Sequence, residues 1–557
     1  MRAPVILLIL VILAIPSTGL QIVEFCPDPY LRGEGDAFVV IEGSGSLDGI
    51  TLEDGEGVLA FPPGTRISGR ITIAAEGPAF LSTYGTPPDF EIQNATAGIP
   101  DMRHQGMFAM ANRADQLILS QGNRVLQEVR WPEDVVAREG QIHYLENGTW
   151  DPRPRFPGQS RFSPAAFPNV TLTAFVSPEE GARGILLGAL RNATREILVS
   201  TYELEDAGIA RELAAAHRRG VRVEVLLEGG PAGGISPAER GASLLLNRSG
   251  IPVYLMASTG TAHARYRFTH AKVVVLDGSR LVLGSENLNP AGYPPVGGTG
   301  NRGWGVLIDD PEAARYFRDV YLHDRSGGDI LPFTLAGEIL FLEQGARGDS
   351  PPPVLAPQTY RDATVRPVLA PDTTFLVEEL IAGANRSVDI EVASIRNSTG
   401  DRLNPYLLAA IQASRRGAAV RILLDGSRYG TSGDEDNDEM AALIAGIARR
   451  EGLPLEARVG RPEDLGVQSI HNKGVIVDGN RVLISSINWN ENSPSFNREA
   501  GVILEHPGAA AYFTGAFAQD WSRAAGGSRT GDLVLLRGMV AFLVICLLLG
   551  MYLMRRR

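Results

Sequence analysis

The sequence predicts a duplicated α/β fold of two lobes, preceded by a small all-β sandwich and followed by a single C-terminal transmembrane helix. Three observations lead to this prediction. The motif H-x-K-x4-D occurs once in each half of an internal repeat of strands and helices. The region before the repeat consists of short β-branched runs separated by turn residues. Residues 538–554 carry no charge and are followed by three arginines.

The composition narrows the class of protein. A chain of 557 residues favours several domains over one core. Apolar residues make up 44% and charged residues 21%, which excludes global disorder and a polytopic membrane protein. The net charge of −12 argues against a general nucleic-acid coat protein but allows a local cationic cleft. The two cysteines, Cys26 and Cys546, can form neither a disulfide framework nor a thiolate zinc cluster.

The two ends of the chain predict the compartment. Residues 1–19 are interpreted as a secretory signal peptide, with an uncleaved anchor as the alternative, because a short apolar run lies between Arg2 and small residues. Residues 533–554 are predicted to form a transmembrane helix, and residues 555–557 its cytoplasmic tail. The predicted localisation is therefore the cell membrane, single-pass, with the bulk of the chain extracellular and the membrane contacted through this helix.

Residues 21–135 are predicted to form the small sandwich. Three stretches carry a resemblance: LDGITL at 47–52, FPPGT at 61–65 and ANRADQLIL at 111–119. The region is similar to lamin-tail domains, which are immunoglobulin-like modules, although Ile50 stands where that family usually has an aromatic residue. No catalytic constellation is visible in it.

The repeat is divided by two stretches that are predicted to be linkers, residues 136–169 and 331–367. The lobes they separate span residues 170–330 and 368–525. Each lobe shows the order strand, helix, strand, with boundaries at 196–200, 209–219 and 222–227 in lobe 1 and at 388–392, 406–416 and 420–424 in lobe 2. Both helices end in Arg-Arg-Gly, and glycine is typical just after a helix end. The alternation predicts α/β layers with largely parallel sheets.

The motif of lobe 1 reads THAKVVVLDG at 269–278 and is followed by GSEN at 284–287. The motif of lobe 2 reads IHNKGVIVDG at 470–479 and is followed by SSIN at 485–488. On a strand, the His and the Lys two positions later share one face. The Asp-Gly pair then turns the chain, so that a second strand returns its Ser and Asn to the same end. Two such patches facing each other would suit a phosphodiester, with donors for its oxygens and an imidazole on each side of phosphorus.

Lysine usage strengthens this interpretation. Lysine and arginine number 52 together, yet the only lysines are Lys272 and Lys473, one in each motif. A chain that otherwise uses arginine has kept lysine where a compact point charge is needed rather than a planar fork. A single H-x-K pair could simply decorate an exposed strand, but that alternative does not account for the duplication.

The duplicated motif resembles the signature of the phospholipase D superfamily, over residues 170 to 525. The resemblance implies a two-lobed α/β fold with the active site at the lobe interface, a phosphohistidine intermediate, and no metal or other cofactor. It also implies a set of catalytic residues and a set of phosphate-binding residues. The catalytic set is His270, Lys272, Asp277, His471, Lys473, Asp478 and Glu499. The phosphate-binding set is Ser285, Asn287, Ser486 and Asn488.

The two motif histidines are not expected to play the same role. Family members often carry an acidic residue that hydrogen-bonds the catalytic imidazole, and Glu499 is expected to serve His471 in this way, while Gly303 cannot serve His270. A carboxylate favours the imidazolium form, so His471 is predicted to be the general acid and His270 the nucleophile. The opposite assignment stays open, because a carboxylate also orients a nucleophile. Asp277 and Asp478 are expected to hold turns rather than to transfer protons.

The predicted function is an exported, membrane-anchored phosphodiesterase that acts on a phosphodiester substrate, with a nuclease role preferred. The lamin-tail-like module and a cleft that could be flanked by Arg265, Arg267 and Arg461 support the nuclease. A phospholipase D or transphosphatidylase acting on phospholipids is the alternative. A non-catalytic surface-binding protein is a third, which the intact motifs argue against. No obligate protein partner is evident.

Overall fold

The computed structural model describes residues 19–524, except residues 94, 132–138, 147, 151–154, 157, 260–262, 335–354, 398–401 and 432–435. The predicted transmembrane helix, its tail and, apart from Gly19, the predicted signal peptide lie outside the described residues. The chain divides into two compact units. The first comprises the residues up to Ser160 together with Ala257–Tyr266 and Ser326–Ile330, and the second comprises the rest.

The first unit contains two β-sheets and a short helix. Its elements are β1 (Gln21–Cys26), β2 (Phe38–Ser46), β3 (Ile50–Glu53), β4 (Gly57–Ala60), β5 (Arg66–Glu76), α1 (Gly77–Tyr84), β6 (Phe90–Gln93), β7 (Arg103–Gly106), β8 (Asp115–Gln121), β9 (Arg124–Trp131), β10 (His143–Glu146) and β11 (Thr149–Trp150). One sheet has the order β11-β10-β1-β2-β5-β6, and the other has the order β7-β4-β3-β8-β9. A shared core that includes Ile22 of the first sheet and Leu52 of the second joins them.

This architecture confirms a β-structured N-terminal region, while its likeness to lamin-tail domains stays a prediction. Strands β10 and β11 fall within the segment predicted to be a linker. Trp150 of β11 is buried in the shared core, and its ring packs edge-on against that of Phe25 with centroids 5.3 Å apart. The Pro- and Arg-rich composition of the neighbouring residues hid these short strands.

The second unit is built on one sheet of fifteen strands, which is shared by two lobes. The elements of lobe 1 are β12 (Phe167–Ser177), α2 (Glu180–Arg191), β13 (Glu196–Thr201), α3 (Ala207–Arg218), β14 (Arg222–Glu228), α4 (Pro237–Arg248), β15 (Val253–Met256), β16 (Lys272–Leu276), β17 (Arg280–Gly284), β18 (Gly303–Asp309), α5 (Pro311–Asp324) and β19 (Ile330–Pro332). The elements of lobe 2 are β20 (Gln358–Ala370), α6 (Phe375–Ala382), β21 (Ser387–Val392), α7 (Pro405–Arg415), β22 (Ala419–Asp425), α8 (Asn437–Glu451), β23 (Leu455–Gly460), α9 (Pro462–Leu465), β24 (Lys473–Val477), β25 (Arg481–Ser485), α10 (Asn492–Phe496), β26 (Glu499–Glu505) and α11 (Pro507–Arg523).

The sheet order shows the duplication directly. It runs β19-β15-β14-β13-β16-β17-β18-β12-β20-β26-β25-β24-β21-β22-β23, so the two lobes mirror each other across the pair β12–β20. The predicted α/β repeat is therefore confirmed, with β13, α3 and β14 matching β21, α7 and β22. The sheet is less parallel than expected. Strands β13, β14 and β15, and their counterparts in lobe 2, run parallel, because helices connect them. Each motif strand is antiparallel to both of its neighbours and forms a hairpin with the strand that follows it.

Local chemistry explains the helices that frame the sheet. In α3 the side chain of Asp206 accepts the N–H of Ile209 and caps the first turn. Ile209 and Leu213, one turn apart, are both buried against the sheet. Gly220 then takes a positive φ of 93° just after the helix, as the Arg-Arg-Gly sequence predicts.

The predicted localisation requires a correction. In the part of the chain that the structure describes, no helix combines the length and the apolar character needed to cross a bilayer. The longest helix there, α11, has 17 residues and carries Asp520 and Arg523. At about 1.5 Å per residue it is shorter than the roughly 30 Å hydrocarbon layer. The described residues therefore do not support the predicted single-pass localisation.

Candidate active site

Each motif lies at the start of a strand that turns back as a tight hairpin. Asp277 and Gly278 after β16 both take positive φ values, 55° and 62°, and Asp478 and Gly479 after β24 do the same. Glycine adopts this conformation without a Cβ penalty, and aspartate is among the residues that tolerate it. The returning strands β17 and β25 run antiparallel to β16 and β24. Residues 285–287 and 486–488 therefore come back to the end of the hairpin where the motif histidines lie.

The two motifs meet at the interface between the lobes. The backbone N–H of His270 donates to the carbonyl of Arg498 at 2.8 Å, and the N–H of His471 donates to the carbonyl of Arg302 at 2.9 Å. Each motif therefore begins on a segment of the opposite lobe. This exchange brings both histidines and both lysines to one site.

The imidazole of His270 is oriented by a buried carboxylate. Its Nδ1 lies 2.8 Å from Oε2 of Glu499. Glu499 is fully buried and also accepts hydrogen bonds from Ser486 Oγ at 2.6 Å, Asn497 Nδ2 at 3.0 Å and Ser493 Oγ. Burial pushes the pKa of Glu499 upward, but its pairing with the His270 ring, the charge of Lys272 and the hydrogen bond from Ser486 hold it below its ordinary value. An ionised carboxylate at Nδ1 directs Nε2 of His270 to the chemistry.

The predicted partner of Glu499 is therefore wrong: the carboxylate serves His270 of the other lobe, not His471 of its own repeat. His471 instead has its Nδ1 3.2 Å from Oε1 of Glu286. Glu286 was not among the predicted site residues, although it occupies the variable position of GSEN. The sequence did contain an indication of this role. Lobe 1 has Gly303 where lobe 2 has Glu499, and lobe 1 carries an acidic residue in GSEN instead.

Burial shifts both imidazoles toward the neutral form. It lowers the pKa of His270 to about 4, against the opposing charge of Glu499. It lowers the pKa of His471 as well, with the Lys473 charge acting in the same direction. The side chain of His270 is 11% exposed and that of His471 is 28% exposed, so His471 keeps more access to water. Because the ammonium of each lobe influences the imidazole of the other, the four groups form one electrostatic site.

Both motif lysines are buried, and each ammonium group donates a hydrogen bond within its own motif. Lys272 Nζ donates to the carbonyl of His270 at 2.6 Å, and Lys473 Nζ donates to the carbonyl of His471. Burial lowers the pKa of Lys272 to about 7 and that of Lys473 to about 8, although nearby carboxylates oppose the shift. A cation that lacks its full hydration is a strong donor for the oxygens of a phosphoryl group.

The residues predicted to bind phosphate are engaged in different ways. Ser285 Oγ donates to Oε1 of Glu286 at 3.2 Å, and Ser486 Oγ donates to Glu499, so both hydroxyls hold carboxylates. Asn287 Nδ2 donates to Oε2 of Glu203 at 3.0 Å. The backbone N–H of Asn488 donates to Ser493 Oγ at 2.8 Å. A role in phosphate binding remains a prediction for the two asparagines, while the contacts of the serines point to holding the site.

The two motif aspartates lie away from the histidines. Asp277 is seven residues after His270, or about 23 Å along an extended strand. It accepts the backbone N–H groups of Thr194, Arg195 and Glu196. Asp478 accepts the equivalent N–H groups of Asn385, Arg386 and Ser387 in lobe 2. This placement supports the turn-holding role expected of both.

The arginines considered for a cationic cleft are bound to other protein groups. Arg265 belongs to the first unit, where its Nε donates to Asp329 Oδ2 at 2.9 Å. Arg461 pairs with Asp438 at 3.0 Å, and Arg267 Nη1 donates to Asn492 Oδ1 at 3.1 Å. The side of the site formed by lobe 1 is instead rich in carboxylates. These are Glu203, Glu205, Glu228 and Glu239, and Glu203 acts on the charge of Lys272. Burial raises the pKa of Glu203, that of Glu228 to about 7 and that of Glu239 to about 8, which disfavours their negative charges.

Comparison with known proteins identifies the family. The family described as "Cardiolipin synthase, PLD-like domain" matches residues 186–325 and 377–521, which together exceed half of the chain. The chain belongs to this phospholipase D-like family. The predicted membership of the phospholipase D superfamily is thus confirmed, as is the assignment to a class of phosphodiester-acting enzymes.

Individual relatives cover parts of the chain. A mitochondrial cardiolipin hydrolase of Chlamydomonas reinhardtii is 29% identical over 143 residues, 26% of this chain and 55% of that protein. The chain thus spans about half the length of this curated relative. Among solved structures, Nuc of Salmonella typhimurium, a phospholipase D family member, covers 31% of this chain and 99% of its own at 23% identity and a TM-score of 0.25. Phosphatidylserine synthase of Haemophilus influenzae covers 64% and 89% at 14% identity and a TM-score of 0.48.

Proposed function

We propose that this chain is a phosphodiesterase that works through a phosphohistidine intermediate, with His270 as the nucleophile and His471 as the general acid. The observation that carries the proposal is the crossed pairing of the two imidazoles. The Nδ1 atom of each imidazole lies at a buried carboxylate that the other lobe supplies. Each histidine also lies beside a buried lysine of its own motif.

The burial of the two histidines supports this division of roles. A nucleophile must be neutral, and His270 has a pKa lowered to about 4 by burial. A general acid must carry a proton at working pH, and the better hydrated His471 is the more suitable imidazole for that. The sequence left this assignment open, and the difference in exposure is what favours it.

The reaction then proceeds in two steps, in which the phosphohistidine is formed and then hydrolysed. Nε2 of His270 forms a bond to phosphorus as the bond to the leaving alkoxide breaks, and Nε2 of His471 gives its proton to that oxygen. Lys272 and Lys473 donate to the non-bridging oxygens as charge builds on them. In the second step the neutral His471 takes a proton from water. The hydroxide oxygen bonds to phosphorus, and the phosphorus–nitrogen bond to His270 breaks.

A phospholipid is the substrate class that we infer. The matched family and the curated relative are both described by their relation to cardiolipin. The charges near the site agree with this choice, since a nucleic acid carries further phosphates on both sides of the one being cleaved. The arginines that would have favoured a nuclease are paired with acidic or amide groups.

The test compares substrates on purified protein. We expect the wild-type chain to hydrolyse phospholipid vesicles that contain cardiolipin and to release phosphatidic acid from them, and His270→Ala to be inactive. Cleavage of single- or double-stranded DNA, with no lipid product, would replace the lipid assignment by a nuclease. No turnover of either substrate, or of bis(p-nitrophenyl) phosphate, would overturn the enzymatic proposal.

The covalent step is tested separately. The wild-type protein is mixed with bis(p-nitrophenyl) phosphate and denatured rapidly without acid. Its intact mass should then increase by one p-nitrophenylphosphoryl group. The adduct should be labile to acid and stable to base, which distinguishes phosphohistidine from a phosphoester. His270→Ala should form no adduct. An adduct in His270→Ala that disappears in His471→Ala would reverse the two roles.

A further inference from the structure

The carboxylate of Glu286, in lobe 1, is held by three polar side chains. Its Oε1 lies 3.2 Å from Nδ1 of His471 and accepts Ser285 Oγ at 3.2 Å. Its Oε2 accepts Asn301 Nδ2 at 3.3 Å. Burial pushes the pKa of Glu286 upward, but the charge of His471 and these hydrogen bonds hold it below the ordinary value.

Glu499 makes the equivalent contacts in lobe 2, although Glu499 and Glu286 do not occupy corresponding positions in the two repeats. It binds Nδ1 of His270, Ser486 Oγ and Asn497 Nδ2. Strand register aligns the two lobes, because Gly284 pairs with Gly305 just as Ser485 pairs with Gly501. By this register Ser285 corresponds to Ser486 and Asn301 to Asn497. Glu499 corresponds to Gly303, and Glu286 corresponds to Ile487.

The glycine at position 303 is what makes room for Glu286. A Cβ placed on Gly303 would lie 2.5 Å from Cγ of Glu286 and 2.6 Å from Oγ of Ser285, and still closer to the carboxylate itself. Real Cβ atoms do not approach other atoms this closely. The carboxylate of Glu286 therefore fills the space that a side chain at position 303 would take. Its counterpart Ile487 packs in the apolar core of lobe 2.

We propose that Glu286 is a positioning residue that orients the imidazole of His471 and stabilises its protonated form, in place of the carboxylate that is absent at position 303. The proposal rests on the proposed function, because it gives His471 the role of a general acid. The site thus holds two carboxylates, one for each histidine, at positions that do not correspond in the two repeats.

Several other charged groups also act on His471, and the test must separate Glu286 from them. Lys473 on its own strand and Lys272 from lobe 1 both favour the neutral imidazole. Asp425 at the end of β22 interacts with His471 and accepts the N–H of Ile470 at 2.7 Å. Glu286 is the carboxylate within hydrogen-bond distance of the ring.

The experiment moves the carboxylate between its two positions. Glu286→Gln should reduce kcat by about 10- to 100-fold, the usual effect of losing a group that orients a functional histidine. It should also lower the pKa of His471 by about 1–2 units, because an adjacent negative charge is lost. The double variant Glu286→Ile/Gly303→Glu recreates the arrangement of lobe 2 and should recover most of both losses. Glu286→Ile alone should not.

Two readouts keep the outcome decisive. The alkaline limb of the kcat profile on bis(p-nitrophenyl) phosphate should move to lower pH in Glu286→Gln, and an NMR titration of the His471 ring should show the same shift without substrate. Glu224→Gln is the matched control, because Glu224 is buried in the same unit and its carboxylate pairs with Arg325 at 3.2 Å. It should leave both readouts unchanged.

Failure of the inference can be told apart from failure of the proposed function. An active wild-type enzyme with an unchanged His471 titration in Glu286→Gln would overturn the positioning role alone. So would a double variant that melts at the wild-type temperature yet is no more active than Glu286→Ile. A wild-type protein without phosphodiesterase activity would overturn the proposed function, while the titration would still report on Glu286.

Discussion

Arg302 of lobe 1 donates from Nε to Oδ2 of Asp520 in lobe 2 at 2.6 Å, and both residues are buried. The counterpart pair runs in the opposite direction, with Arg498 of lobe 2 donating to Asp324 of lobe 1 at 2.9 Å. The carbonyls of Arg302 and Arg498 accept the N–H groups of the two motif histidines. The ion pairs therefore fix the segments on which the candidate active site is assembled.

Breaking one of these pairs should destabilise the second unit strongly. We expect Arg302→Met to lower the free energy of unfolding by about 3–5 kcal/mol, because Asp520 is left charged and buried near Glu391. Arg302→Met combined with Asp520→Leu should cost less, since Asp520 is then not left as a buried charge without its partner. Urea denaturation checks both variants. A double variant less stable than the single one would contradict the expected cost of leaving Asp520 without its partner.

The stability of the fold should depend on the protonation of His270. Its pKa is lowered to about 4 by burial, whereas an unfolded histidine titrates near 6.5. Between these values the unfolded chain binds more protons, so stability rises with pH and falls as the solution is acidified from pH 6.5 to pH 4. Over this window the effect of one group is about 3 kcal/mol.

His270→Asn tests this dependence, because its amide can still donate to Glu499 but does not titrate. Urea denaturation at several pH values between 4 and 6.5 should show a shallower loss of stability in the variant. His104→Asn, at an exposed position of the first unit, serves as the control and should follow the wild type. Parallel curves for all three proteins would assign the acid sensitivity to other groups.

The motif aspartates should matter for folding rather than for chemistry. Asp277→Ala removes the acceptor of three backbone N–H groups at the start of β13. We expect a loss of about 1–3 kcal/mol in the free energy of unfolding, the cost of leaving such donors unpaired. Turnover per folded molecule should change less than about threefold at a temperature where the variant is folded. A hundredfold loss of kcat with an unchanged melting temperature would place Asp277 in the reaction itself.

The sequence predicted those parts of the site that depend on local spacing. His270 and Lys272 share a face because they are two residues apart, and the hairpin follows from Asp-Gly, so both could be placed without coordinates. The same is true of the strands and helices of the repeat, whose glycines mark their ends. Such features need only the period of the chain and the chemistry of its turns.

The carboxylates could not be assigned in the same way. Glu499 is 229 residues from His270 in sequence, and Glu286 is 185 residues from His471. Their pairing depends on how the lobes pack across β12 and β20, which no local pattern encodes. The buried strand β11 was missed for a similar reason, because Trp150 packs on a sheet formed by distant residues. The tertiary contacts decide these pairings.

Arginine should not be able to replace either of the two motif lysines. Lys272 and Lys473 are 3% and 0% exposed, and each ammonium donates to the carbonyl of the histidine two residues earlier. A guanidinium is planar and larger, so it cannot occupy the same space and keep a point-like donor on the phosphoryl oxygens. Charge is retained in Lys272→Arg and Lys473→Arg, so the two substitutions isolate geometry. We expect each to lower turnover of bis(p-nitrophenyl) phosphate by about 100-fold or more, as when a donor to transition-state oxygens is lost.

Melting curves must accompany these measurements, because a guanidinium forced into a buried site can also unfold the protein. Arg366→Lys is the matched control, since Arg366 is 45% exposed in its side chain and pairs with Glu505 on the surface. That exchange should change stability by less than about 0.5 kcal/mol and leave turnover intact. Wild-type turnover in both Lys→Arg variants would show that a positive charge is sufficient at these positions. The scarcity of lysine in the chain would then reflect composition, and the geometric argument for the two ammonium groups would be lost.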